Sequence, residues 1–120
     1  MKVLHVLLVE DDAIIGELLA EMLEEIGYHV CPIAATEADA VTAAARYRPD
    51  LIIADARLGN GSGVSVVEEI LRTGHVPHLF ISGNISRVKA LRPDAVALRK
   101  PFGKAELTRA IQRALDIAPL

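Results

Sequence analysis

Leu51-Ile52-Ile53-Ala54-Asp55-Ala56-Arg57-Leu58-Gly59-Asn60-Gly61-Ser62-Gly63 is the stretch whose reading decides the fold. Four apolar residues run into a single carboxylate, and three glycines follow within eight positions. A short unbroken apolar run bounded by turn residues is the pattern of a strand covered on both faces, as in a parallel sheet. Asp55 then stands at the strand's carboxyl end, the edge where open α/β sheets gather their ligands. An acidic residue in that position ordinarily does no more than begin a solvated loop. Its importance depends on what the other strands bring to the same edge.

Upstream, residues 3–9 form a β-branched and leucine-rich first strand, ended by Glu10-Asp11-Asp12. A helix starts close to Asp12, with Ile14, Ile15, Leu18, Leu19, Met22, Leu23 and Ile26 on one face and Glu17, Glu21, Glu24 and Glu25 on the other. Gly27 suits the position just past its end. Residues 28–34 read as a short second strand, confined to a sheet edge by Pro32. Thr36 with Asp39 three residues on resembles a capping box and opens an alanine-rich helix reaching Tyr47. Pro49 closes it, and the strand at 51–54 follows. Downstream of the glycines, Val64, Val66, Val67, Ile70 and Leu71 mark a third helix, ended near Gly74. A fourth strand at 76–81, a short helix at 85–91 before Pro93, a fifth strand at 95–98 and a last helix at 104–116 burying Leu107, Ile111 and Leu115 complete the chain. Strand and helix alternate five times, which predicts a doubly wound α/β domain over residues 1–120, with helices on both faces of a parallel sheet.

Composition narrows the function. With 120 residues the chain can bury a core, and with 52% hydrophobic but only 3% aromatic residues that core is aliphatic. A net charge of −3 gives no basic field for nucleic acid. No apolar run is long enough to span a bilayer, and the apolar amino end is followed by acids in place of a cleavage site, so it reads as a strand and not a leader. The single cysteine, Cys31, forms no internal disulfide and suits a reducing, cytoplasmic compartment as a core thiol. His5, His29, His75 and His78 are scattered and read as surface or core residues.

The strand ends carry the chemistry. Glu10, Asp11 and Asp12 follow the first strand, Asp55 the third, Ser82-Gly83 the fourth and Lys100-Pro101 the fifth. In the five-strand order 2-1-3-4-5, strands one and three are neighbours, so the acids of the first loop meet Asp55 in one crevice. Carboxylates that close repel unless a cation joins them. An oxygen-only ligand set in a wet cleft suits Mg²⁺. A carboxylate, a hard cation, a lysine and a hydroxyl around one point are the parts that handle a phosphoryl group. Singly, each has a plain explanation: Asp11 or Asp12 as a helix cap, Ser82 as another, Lys100 as a solvated strand end. Together, at successive strand ends, they make a site.

With Leu8-Val9-Glu10-Asp11-Asp12, Ile53-Ala54-Asp55, Ser82-Gly83 and Lys100-Pro101-Phe102 in this order, the whole chain resembles the receiver domain of two-component response regulators. The resemblance implies that Asp55 accepts a phosphoryl group from the phosphohistidine of a sensor kinase or a histidine phosphotransfer protein. It further implies that Glu10, Asp11, Asp55 and the backbone carbonyl of Arg57 hold Mg²⁺, that Ser82 and Lys100 bind phosphoryl oxygens, and that Asp12 caps the first helix. Output would pass to an unknown downstream protein by contact or phosphorelay, with no nucleic acid or membrane involved.

Three positions depart from the family pattern. Gly59 stands where a proline is common, predicting a looser loop. Ala97 stands where many members carry the aromatic that reports phosphorylation. The interval from Ser82 to Lys100 is short, predicting a short fourth helix and an atypical output face. Phe80-Ile81-Ser82-Gly83 with Lys100-Pro101-Phe102 also resembles the stand-alone receivers of some bacterial general-stress pathways. A receiver piece of a larger hybrid kinase or regulator is the alternative, and Ala118-Pro119-Leu120 suits the start of a linker. A haloacid-dehalogenase-like phosphohydrolase also uses a strand-end aspartate, but wants a second aspartate where Arg57 stands. A flavodoxin-like nucleotide binder needs an anion cradle where Glu10-Asp11-Asp12 stands. A degenerate, non-phosphorylated receiver would lack side chains that are present here.

Overall fold

A computed structural model describes residues 3–117; the linker-like residues Ala118, Pro119 and Leu120 lie outside them. The elements in chain order are β1 (His5–Val9), α1 (Ala13–Glu25), β2 (His29–Ala34), α2 (Glu37–Tyr47), β3 (Leu51–Asp55), β4 (Arg57–Leu58), β5 (Gly61–Ser62), α3 (Gly63–Leu71), β6 (His78–Ser82), α4 (Ile85–Leu91), β7 (Ala97–Arg99) and α5 (Lys104–Asp116). Five strands make one parallel sheet in the order β2-β1-β3-β6-β7. Apart from the small β4–β5 hairpin this is the predicted 2-1-3-4-5 arrangement. The Pro32-bearing strand β2 is an edge, as its missing N–H requires.

Alternate residues of each central strand serve opposite faces. Leu7, Val9, Ile52, Ala54 and Phe80 pack under α2, α3 and α4, while Val6, Leu8, Leu51, Ile53, Leu79 and Ile81 pack under α1 and α5. Every residue of β3 is buried, which is why its first four residues are an unbroken apolar run. Among the described residues Phe80 is the only aromatic of the largest fully buried side chains, so the core is aliphatic as composition required. The chain supplies small residues where helices approach closely: Ala40 and Ala43 on α2, and Ala110 and Ala114 on α5.

Four local differences from the sequence reading have physical causes. On α1 the buried stripe is Gly16, Leu19 and Leu23, and Ile14, Ile15 and Leu18 are exposed. Gly16 sets that rotation, because a Cβ there would lie 3.3 Å from Ile33 Cγ2; the glycine lets the helix sit down on the sheet with that side inward. Leu115 is half-buried at the rim, and Ala110 and Ala114 take its place in the core. Cys31 is also only half-buried, being on the edge strand. The loop after Asp55 is not loose: Arg57 pairs with Ser62 and Leu58 with Gly61 in an antiparallel hairpin. All five predicted strands are shifted by one or two residues at their ends, and α4 is the predicted seven-residue helix.

Candidate functional site

The register of the sheet brings the strand ends together. Val9 pairs with Ala54, so the next residue of each strand, Glu10 and Asp55, lies side by side. Asp55 pairs with Ile81, and Ser82 with Arg99, which puts Ser82 and Lys100 on the other flank. Glu10, Asp11, Asp12, Asp55, Arg57, Ser82 and Lys100 all line one cleft, together with the glycine hairpin on one side and Asn84, Arg87 and Leu91 of the α4 segment on the other. Each residue proposed from sequence is therefore at this edge.

Two of them are buried charges. Glu10 is 4% exposed and Asp55 7%, and they are the only buried polar or charged side chains among the described residues. Asp55 is compensated: Lys100 Nζ donates to its Oδ2 at 2.6 Å, and the Arg57 N–H donates to its Oδ1 at 2.9 Å. Glu10 receives less. Its Oε2 accepts the Asp12 N–H at 3.1 Å, and burial, with the neighbouring Asp55 and Asp11 carboxylates adding to it, pushes its carboxyl up to about 7. The corner between Glu10 and Asp55 thus holds more negative charge than the protein itself neutralises.

Backbone geometry fixes Asp55 further. A Cβ at Gly63 would lie 2.1 Å from the Asp55 carbonyl oxygen, so α3 can begin against the strand end only with glycine there. The Gly63 N–H donates to Ala56 O, and the Ala56 N–H to Ile81 O. Asp12 is the N-cap of α1, its Oδ1 accepting from the Ile14 and Ile15 N–H groups, which removes it from the candidate ligands. Ser82 does not cap α4. Asn84 does, and Ser82 Oγ accepts the Asn84 N–H at 2.9 Å, holding its hydroxyl at the cleft.

Asp11 is exposed at the cleft mouth facing the hairpin, where a Cβ on Gly59 would lie 3.5 Å from its Oδ2. Among the described residues no three acidic, histidine or cysteine side chains converge into a ready metal cage. The donors that face the cleft are hard oxygens flanking an undercompensated carboxylate pair. That set fits a hydrated divalent cation such as Mg²⁺, which needs few protein ligands.

Sequence reading missed the hairpin, the second role of Arg57 as donor to Asp55, and a contact between Glu37 and Ser62. The Ser62 cap of α3 was legible as a serine just ahead of an apolar helical run. The Glu37 contact spans 25 residues and leaves no local signal.

Comparison with known proteins agrees with this arrangement. Residues 6–112 match the response regulator receiver domain family. The phyllosphere-induced regulator PhyR of Methylorubrum extorquens is 36% identical over 115 residues, 92% of this chain and 43% of that protein. The transcriptional regulatory protein PdtaR of Mycobacterium tuberculosis is 34% identical over 116 residues, 93% and 57% respectively. The chain thus spans about half the length of these curated relatives. Among solved structures, the PhyR receiver domain of Erythrobacter litoralis superposes with a TM-score of 0.89 at 32% identity, covering 100% of this chain and 97% of that one. The anti-anti-sigma factor PhyR of Bartonella quintana gives 0.83 at 30%, covering 96% and 48%. With its fold, its strand-end carboxylates and its lysine in the family's order, the chain belongs to the response regulator receiver domain family.

Proposed function

We propose that Asp55 is a phosphoacceptor and that this domain is a phosphorylation-driven switch. The observation that carries the reading is the Asp55–Lys100 ion pair, buried on the aspartate side, at the end of the central strand and beside the undercompensated Glu10. A salt bridge needed only for stability would be an expensive choice here, because desolvation offsets most of its attraction. One that must exchange partners during phosphoryl transfer has a reason to exist.

In the transfer, the phosphoryl group leaves an imidazole of a sensor kinase or histidine phosphotransfer protein. The donor's P–N bond breaks as an O–P bond forms at Asp55. Lys100 gives up Oδ2 to the incoming group and pairs instead with a phosphoryl oxygen, and Ser82 Oγ offers a second donor from the same flank. Arg57 N–H holds Oδ1, which keeps the carboxylate oriented for in-line attack. Glu10 and Asp11, with Asp55 and the Arg57 carbonyl, are the residues that would hold Mg²⁺; when bound, the ion supplies positive charge to the transferring oxygens. The aspartyl phosphate is then read by a downstream protein through contact or onward transfer in the cytoplasm.

The aspartate-nucleophile phosphohydrolase has no observation in its favour, since Arg57 occupies the place of its general acid. The test is exposure of the protein to phosphoramidate with Mg²⁺ or with chelator, followed by intact-mass measurement. One added phosphoryl group with Mg²⁺ and none in chelator is expected. Equal labelling in chelator would remove the metal from the account.

A further inference from the structure

The hairpin after Asp55 has two glycines, Gly59 and Gly61, and lacks the proline that would stiffen it, yet it is closely held. Glycine loses more backbone freedom on ordering than any other residue, so a Gly59-Asn60-Gly61 turn needs an anchor from outside itself. That anchor is Glu37. It is the first residue of α2, half-buried, and its Oε2 accepts the Ser62 N–H at 2.8 Å. The carboxylate lies so close over the turn that a Cβ at Gly61 would come within 1.9 Å of Oε2 and 2.8 Å of Cδ.

Ser62 is a junction. Its N–H is taken by Glu37, its Oγ caps α3 through the Val64 and Ser65 N–H groups, and its strand partner is Arg57. Arg57 in turn donates its N–H to Asp55 Oδ1. A continuous path of hydrogen bonds and strand pairing therefore runs from the start of α2 to the candidate phosphoacceptor. Glu37 itself is not among the residues lining the cleft. As an acid in the first turn of α2 it also favours the helix dipole, but that role needs no contact with a segment 25 residues away.

We propose that Glu37 is a positioning residue of the phosphoacceptor site: through Ser62 it fixes the 57–62 hairpin so that the Arg57 backbone is held against Asp55 and towards the cation corner. The inference rests on the phosphoacceptor reading and adds a residue from outside the cleft. Glutamine at 37 keeps the accepting oxygen, and alanine removes it.

The experiment is an Mg²⁺ titration of the whole chain followed by NMR, on the parent, Glu37→Gln and Glu37→Ala, with amide exchange of Ser62 and the Mg²⁺ dependence of phosphoramidate labelling measured alongside. In Glu37→Ala the Ser62 amide should lose protection, and the Mg²⁺ midpoint should rise by up to roughly tenfold, the scale of one hydrogen bond. Its labelling rate at saturating Mg²⁺ should fall by less than its Mg²⁺ midpoint rises, because Arg57 is loosened at Asp55 while Lys100 and Ser82 stay in place. Glu37→Gln should restore both midpoint and protection. An unchanged midpoint in Glu37→Ala with the parent still labelled on Asp55 would overturn the positioning role and leave the phosphoacceptor reading standing. Equal weakening in the glutamine and alanine variants would also overturn it. A parent that neither binds Mg²⁺ nor accepts a phosphoryl group would overturn both.

Discussion

Replacing Glu10 with glutamine should stabilise the metal-free protein at pH 8 and do little at pH 4.5. The Glu10 carboxyl is pushed from 4.5 up to about 7 in the fold. A raised acid contributes stability that is fully present below its unfolded value and is lost as pH rises through the folded value, because the folded state holds the extra proton. At 1.36 kcal/mol per pH unit, that displacement sets a ceiling of about 3 kcal/mol on the loss between pH 4.5 and 8. The cleft is open to water on one side, which reduces the expected figure to roughly 1–2 kcal/mol. Glutamine is neutral throughout, retains an oxygen for the Asp12 N–H, and offers a donor to the neighbouring Asp55. Urea denaturation in chelator at a series of pH values gives the comparison. The parent should lose stability relative to Glu10→Gln across this window, with the difference flat above pH 8. His78 works in the opposite direction but is common to both proteins, so it cancels in the difference. Parallel stability curves for the two proteins would refute the claim that Glu10 is charged only at a cost. In Mg²⁺ the parent's deficit should shrink, because binding to the folded state adds stability by mass action.

Gly63→Ala should cost roughly 3 kcal/mol or more and slow labelling of Asp55, since its Cβ would meet the Asp55 carbonyl at 2.1 Å and neither backbone can retreat cheaply; a wild-type urea midpoint would contradict the close approach. Lys100→Ala should fold but accept phosphoryl at least about tenfold more slowly at saturating Mg²⁺, because it removes the group that neutralises both Asp55 and the incoming oxygens; an unchanged rate, followed by mass, would reduce Lys100 to a structural partner. His78, held below its usual 6.5 by burial, contributes stability present above pH 6.5 and lost as pH falls through its lowered value. His78→Phe should therefore flatten the stability loss on acidification from pH 6.5 to 5, and a variant curve as steep as the parent's would count against that role.

What the sequence revealed and what it hid follow from the range of the interactions involved. The strand over 51–54 was legible because burial on both faces leaves no polar alternation, and the order of strand-end residues was enough to place Glu10, Asp55, Ser82 and Lys100 around one cleft. The rotation of α1 was not legible. Ile14, Ile15 and Leu18 widen its apolar stripe beyond what the sheet covers, and the fit is set by Gly16 against Ile33, a contact between residues on different elements. The loop after Asp55 was misread for a related reason. Counting its glycines predicts freedom, but the loop is paired as a hairpin whose Ser62 N–H donates to a carboxylate from α2, and nothing near Gly61 announces Glu37. Local chemistry was readable; long-range anchoring was not.

The central claim is that a single carboxylate, Asp55, receives a phosphoryl group. Its most direct measurement is borohydride trapping after reaction with phosphoramidate and Mg²⁺, which reduces an aspartyl phosphate to homoserine that peptide mass spectrometry can locate. The account predicts homoserine at position 55 in the parent and no trapped product in Asp55→Asn. Trapped product at another acid, or equal phosphoryl uptake by the parent and Asp55→Asn, would contradict it.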